Sequence, residues 1–196
     1  MNAELTNCLI VGVGGQGTIL ASRLMGGAAM SVGLDVRGSE TIGMAQRGGS
    51  VASHVRMGRD IHSPMISPGE ADVILAFEPC EGLRAMAWLK IGGMIIVCDR
   101  AVQPFSSGGA VGYDAAEVMA RIVSAADRVR VLSGEYIGEK CGMRHLNIAV
   151  LGAAAACGVL PFSTADMEMA ISGRFAGRIA DMNKNALRTG AEMIKN

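Results

Sequence analysis

CLIVGVGGQG, Cys8 to Gly17, joins an apolar run to a cluster of glycines. CLIV is apolar on both faces, as strands of a covered parallel sheet are. The segment that follows, Gly17 to Val32, carries Leu20, Leu24 and Ala28 at helical spacing. Strand, glycine turn and helix in that order open an α/β unit. GVGGQG, Gly12 to Gly17, also has the spacing of the dinucleotide fingerprint, in which glycines let a pyrophosphate approach helix N-terminal amides. Two readings of Gly12, Gly14, Gly15, Gln16 and Gly17 therefore stand side by side. In one they cradle a nucleotide, with Glu40 near the end of the next strand in the place of a ribose-binding acid. In the other the glycines serve a tight turn and close helix-to-sheet packing, and Gln16 bonds the local backbone with no ligand present. Both leave a crevice at the C-terminal end of the sheet.

Further along the chain, DVILAF (Asp72 to Phe77) and MIIVC (Met94 to Cys98) repeat the two-sided apolar pattern. Between them Cys80 to Lys90 reads as a helix bearing Leu83, Ala87 and Trp88. SVASHVRM (Ser50 to Met57) alternates instead, with Val51, Val55 and Met57 on one face and His54 and Arg56 on the other. That is a half-exposed strand, antiparallel or near an edge. After Asp114 come a helix to about Ala126, a strand RVRVL (Arg128 to Leu132) and a largely helical C-terminal third. The expectation is one domain over 1–196, a three-layer, Rossmann-like α/β fold whose sheet is mostly parallel but mixed. Ser50 to Met57 is the strand expected to break the parallel order. The sequence contains no linker, low-complexity tract or internal repeat.

Composition narrows the function classes. Lys plus Arg equals Asp plus Glu at 18 each, which leaves no net field to attract nucleic acid or an anionic membrane. LNIAVLGAAAACGVL (Leu146 to Leu160) is shorter than the roughly 20 residues a membrane span requires and reads as a buried helix. The first residues lack a basic cluster before an apolar signal run, so a cytoplasmic location is expected. Five cysteines occur with no C-x-x-C pair, which fits neither a disulfide framework nor a zinc or iron–sulfur site held by this chain alone. Only 4% of residues are aromatic and 14 are Met, an adaptable core composition also common at partner surfaces.

A second cluster, SETIGMAQRGGSVASHVR (Ser39 to Arg56) followed by SPMISPGEADVILAFEPCEGLR (Ser63 to Arg84), closely resembles the small subunit of indolepyruvate:ferredoxin oxidoreductases. GMAQRGGS, Gly43 to Ser50, is its most specific part. The resemblance continues through HLNIAVLGAAAACGVLP (His145 to Pro161) and the segment Asn185 to Gly190. The same domain is the gamma part of pyruvate and other 2-oxoacid:ferredoxin oxidoreductases. The resemblance implies CoA-dependent oxidative decarboxylation of a 2-oxoacid on thiamine diphosphate, with electrons passing through [4Fe-4S] clusters to ferredoxin. It also implies that this chain binds none of these cofactors. Thiamine diphosphate, Mg and the clusters belong to a larger partner chain, coenzyme A is a co-substrate, and ferredoxin is met only indirectly. The glycine turn is shared by a family not known for tight nucleotide binding through it, which weakens the dinucleotide reading.

Within this frame Gln46, Arg47, Gly48 and Gly49 are candidates for contact with substrate, coenzyme A or the partner. A guanidinium on a glycine loop can grip a carboxylate or phosphate bidentately, and it can equally form a structural or intersubunit ion pair. Gly12, Gly14, Gly15, Gln16 and Gly17 complete the candidate set. Glu78 and Glu81, just past a strand end, read as helix-capping acids. His54, His62 and His145 lack ligand spacing and read as surface or satisfied histidines. Asn147 either caps its helix or bonds a neighbouring loop. No nucleophile elbow or carboxylate pair points to hydrolysis. An incomplete catalytic inventory calls for an apolar surface built for a second protein, expected around Gly43 to Gly49 and at Met167, Met169 and Met182. Crystallised alone, the chain is expected to bury part of that surface in a homodimer.

Overall fold

The computed structural model describes residues 5–40, 49–102 and 113–194. Its strands are β1 (Thr6–Val13), β2 (Asp35–Glu40), β3 (Ser50–Gly58), β4 (Ala71–Ala76), β5 (Leu89–Cys98) and β6 (Arg128–Leu132). They form one six-stranded sheet in the order β2-β3-β1-β4-β5-β6. β1, β4, β5 and β6 run parallel. β3 is antiparallel to both of its neighbours, β1 and β2, so the alternating segment is the reversed strand.

The two-sided apolar runs have a direct structural cause. On β1, Cys8 and Ile10 face one core while Leu9 and Val11 face the other, and β4 and β5 divide in the same way. The larger core packs α1 (Thr18–Ser31), α5 (Leu146–Ala156), α6 (Thr164–Arg174) and α7 (Gly177–Glu192) against the sheet, with α4 (Gly134–Lys140) beside them. The smaller core holds α2 (Pro79–Ala85) and α3 (Ala115–Ala125). Three layers result. Each fully buried strand residue such as Ile10, Ile74 or Ile96 contributes roughly 1.5–3 kcal/mol. α5 is buried almost throughout, and it crosses α7 at two glycines. A Cβ on Gly152 would lie 1.9 Å from Leu187 O, and one on Gly190 would lie 1.8 Å from Ala149 O.

Three expectations are corrected. The helix read over Cys80 to Lys90 ends at Ala85; one 3-10 turn covers Met86–Trp88 and Leu89 already pairs with Ala71. β3 is not half-exposed, because the segment carrying Ile61 and Ile66 covers its outer face and His54 is only 6% exposed. Met167 is fully buried under α6, whereas Met169 and Met182 are exposed.

Candidate functional site

β1 leads to α1 on the large-core side, and β4 leads to α2 on the other. The gap between their carboxyl ends is therefore where an open α/β sheet leaves its crevice. Here Gln16 fills it. Its Oε1 accepts from Val13 N at 2.8 Å and its Nε2 donates to Phe77 O at 3.1 Å, tying the β1 turn to the end of β4. A Cβ on Gly12 would strike Gln16 Oε1 at 2.6 Å, so the glycine makes room for this bridge. Gly14 N donates to Gly49 O at 2.9 Å, joining the turn to the residue before β3. Gly15 is exposed with a positive φ of 99° and open space beside it. Gly17 N-caps α1 at φ 81°, and Asn147 Nδ2 donates to its carbonyl at 3.1 Å. Asn147 Oδ1 accepts from Ile148 N at 2.9 Å. Of the alternatives for Asn147, bonding a neighbouring loop is the one observed.

Gly12, Gly14, Gly15, Gln16, Gly17 and Gly49 are thus brought together by three strands, β1, β3 and β4, and two helices, α1 and α5. Gln46, Arg47 and Gly48 lie outside the described residues. The insertion of β3 between β1 and β2 also moves Glu40 one strand farther from the turn than in a dinucleotide-binding sheet, roughly 4.8 Å. There its Oε1 accepts from Ser22 on α1.

Beside this network sit two carboxylates whose burial the sequence did not reveal. Glu78 is 1% exposed and caps α2 through Glu81 N at 2.9 Å, while Tyr113 Oη and Val102 N donate to its other oxygen. Burial holds its carboxyl above the usual value, opposed by the N–H groups of Glu81 and Val102. Glu81 accepts from Ser50 Oγ and from Arg84 Nη1, both at 2.5 Å. Capping was readable from position, but a cap looks the same in sequence whether it is buried or exposed.

The family described as pyruvate ferredoxin/flavodoxin oxidoreductase matches residues 7–193. The chain belongs to this family. Among relatives of this oxidoreductase chain, indolepyruvate oxidoreductase subunit IorB of Archaeoglobus fulgidus is 38% identical, covering 94% of this chain and 92% of its own. The pyruvate/ketoisovalerate oxidoreductases common subunit gamma of Thermococcus litoralis is 26% identical over 92% of each. In fold, the chain superposes on 2-oxoglutarate:ferredoxin oxidoreductase from Magnetococcus marinus, solved with 2-oxoglutarate, coenzyme A and succinyl-CoA bound. The TM-score is 0.71 at 18% identity, over 98% of this chain and 31% of that one.

The donors among the described residues do not gather as a metal cluster needs. Among the described residues no group of three or more His, Cys, Asp or Glu is placed to hold a metal ion. Ligation needs a thiolate, yet burial raises every cysteine. Cys8 is pushed far up by burial and then by Asp72, Cys98 is pushed up to about 11, and Cys80, Cys141 and Cys157 also move upward. No helix among the described residues is long and apolar enough to cross a membrane. His62 is exposed, His54 is buried with Nδ1 accepting from Ile66 N, and His145 bonds Cys141 O.

Proposed function

We propose that this chain, acting as one unit over 1–196, is the small cytoplasmic subunit of a 2-oxoacid:ferredoxin oxidoreductase of the arylpyruvate, indolepyruvate-preferring branch. The carrying observation is the 38% identity to an indolepyruvate oxidoreductase subunit against 26% to a pyruvate/ketoisovalerate one, both nearly end to end. Thiamine diphosphate, Mg and [4Fe-4S] clusters belong to a larger partner chain. The complex decarboxylates the oxoacid oxidatively, passes electrons to ferredoxin and gives the acyl group to coenzyme A. The seam of Gly12, Gly14, Gly15, Gln16, Gly17 and Gly49, with Gln46, Arg47 and Gly48 just upstream, faces that partner or coenzyme A. Internal use of Gln16 and of the Gly14 amide supports a protein-facing turn over a nucleotide cradle, since the Gly14 amide is spent on Gly49 O and Gln16 is held between Val13 and Phe77.

The experiment is reconstitution with the larger chain and assay across arylpyruvates, pyruvate and ketoisovalerate. Arylpyruvate turnover well above pyruvate is expected, and the reverse preference overturns the branch. Arg47→Ala is expected to raise the KM for coenzyme A or oxoacid in an assembled complex. Unmoved constants would leave a purely structural role. Calorimetry showing tight NAD, NADP or FAD binding by the isolated chain would overturn the subunit reading.

A further inference from the structure

The head of α2 holds two carboxylates, and both are more than nine-tenths buried, Glu78 at 1% exposure and Glu81 at 5%. They lie close together, because Glu78 Oε2 accepts from the Glu81 backbone N at 2.9 Å. Among the described residues one cation serves the pair. Arg84 Nη1 reaches Glu81 Oε1 at 2.5 Å from the solvent side, and Ser50 Oγ donates to the other oxygen of Glu81, also at 2.5 Å. The described partners of Glu78 are all neutral: beyond Glu81 N, its Oε1 accepts from Val102 N at 3.4 Å and from the Tyr113 hydroxyl. The other ionisable groups around the pair carry no charge or are engaged elsewhere. On α2 and at the end of β5, burial keeps Cys80 and Cys98 as thiols. Asp99 Oδ1 accepts from Gly134 N at 2.7 Å, and Arg100 bonds neither carboxylate. Asp114 caps its own helix, α3, through Ala116 N at 2.8 Å. On β3, burial holds His54 towards its neutral form.

Ionising both carboxyls would put two like charges in a low-dielectric site with a single counter-charge, and that charge is bonded to Glu81. Glu81 is therefore the ionised member, and Glu78 is the one that retains a proton more readily. The donors around Glu78 oppose this, but the Val102 bond is long, and the Tyr113 hydroxyl serves both forms, donating to a carboxylate and accepting from a carboxyl. We propose that Glu78 is a proton-linked fastener of the smaller helical layer, tying the head of α2 to the end of β5 and to the head of α3 more tightly with its proton on than with its proton off. No partner chain is needed for this. When the layer opens, water reaches the carboxyl and it ionises at its ordinary value, so loss of the proton favours the open form. Burial, and after it the charge of Glu81, holds the value of the closed form above 4.5. The fastening is thus complete below about pH 4.5 and declines as pH rises through the elevated value.

Amide exchange at Val102 and in the first turn of α3, corrected for its intrinsic pH dependence, is to be measured from pH 5 to 8 on the full chain as wild type, Glu78→Gln and Tyr113→Phe. Wild-type protection is expected to fall about threefold or more as pH rises. Glu78→Gln cannot titrate at this position and keeps His54, so it should show no such fall. Tyr113→Phe removes a donor that favours the ionised form, so its fall should begin at higher pH; a merely structural tyrosine would lower protection equally at every pH. Protection that rises with pH, or a wild-type profile parallel to that of Glu78→Gln, overturns the proposal. If Glu78→Gln fails to fold, NMR titration of the Glu78 carboxyl carbon in the folded wild type decides. A value above 4.5 supports the fastener, and one at or below 4.5 overturns it.

Discussion

His54 couples β3 to the segment covering it, and its burial lowers its pKa from 6.5. As pH falls through that value the unfolded chain takes up the proton before the folded one does. The stability tied to neutral His54 is therefore complete above about pH 6.5 and is lost progressively below it. Thermal midpoints measured from pH 7.5 to 5 should fall more steeply for the wild type than for His54→Asn; parallel curves would mean that the histidine is protonated without disturbing Ile66. That His54 would be a surface or satisfied histidine was readable, because no second ligand stands at helical or strand spacing from it, but its burial was not. Its Ile66 partner was not, since the bond depends on how an irregular segment folds back. The glycine turn divides in the same way. The turn and the local use of Gln16 follow from GVGGQG, but Phe77 O lies 61 residues away and Asn147 reaches Gly17 across 130. Such partners are set by strand order, which local spacing does not encode.

The α5–α7 crossing depends on Gly152 and Gly190, each of which lets a carbonyl of the other helix approach to where a Cβ would stand. Backbone cannot rotate away as a long side chain can. Gly152→Ala should therefore force the helices apart and destabilise the chain by about 3 kcal/mol or more, read as a lower denaturant midpoint at unchanged slope. A loss under about 1 kcal/mol would show that the helices slide freely. Because Asn147 stands on the same helix, the glycine turn should loosen too. That α5 is buried was plain from its unbroken apolar run, and β6 was read with the bounds it has, because RVRVL is bracketed by polar residues. The end of α2 was not legible. Leu83, Ala87 and Trp88 keep helical spacing, but the β4–β5 pairing claims the backbone from Leu89 and overrides it.

Over its outer surface the chain exposes Met169, Ile179 and Met182 on α6 and α7, where the low-aromatic, Met-rich composition had indicated a protein-facing side. Ile179→Lys with Met182→Lys should change stability by no more than about 0.5 kcal/mol each while weakening association with the larger subunit; unchanged association would confine the interface to the sheet's C-terminal side. Fold class and the reversed strand were legible because apolar runs and alternation report burial directly. Sheet order was not, because β2 and β3 could have flanked the parallel strands in several arrangements. The observed order has a consequence during synthesis. β1 leaves the ribosome first, yet it lies between β3 and β4 and gains its second neighbour only when Ala71–Ala76 has been made. At about 5–20 residues per second, the apolar strand Cys8–Val11 waits roughly 3–12 s with an unpaired edge, the state most prone to pairing with a neighbouring nascent chain.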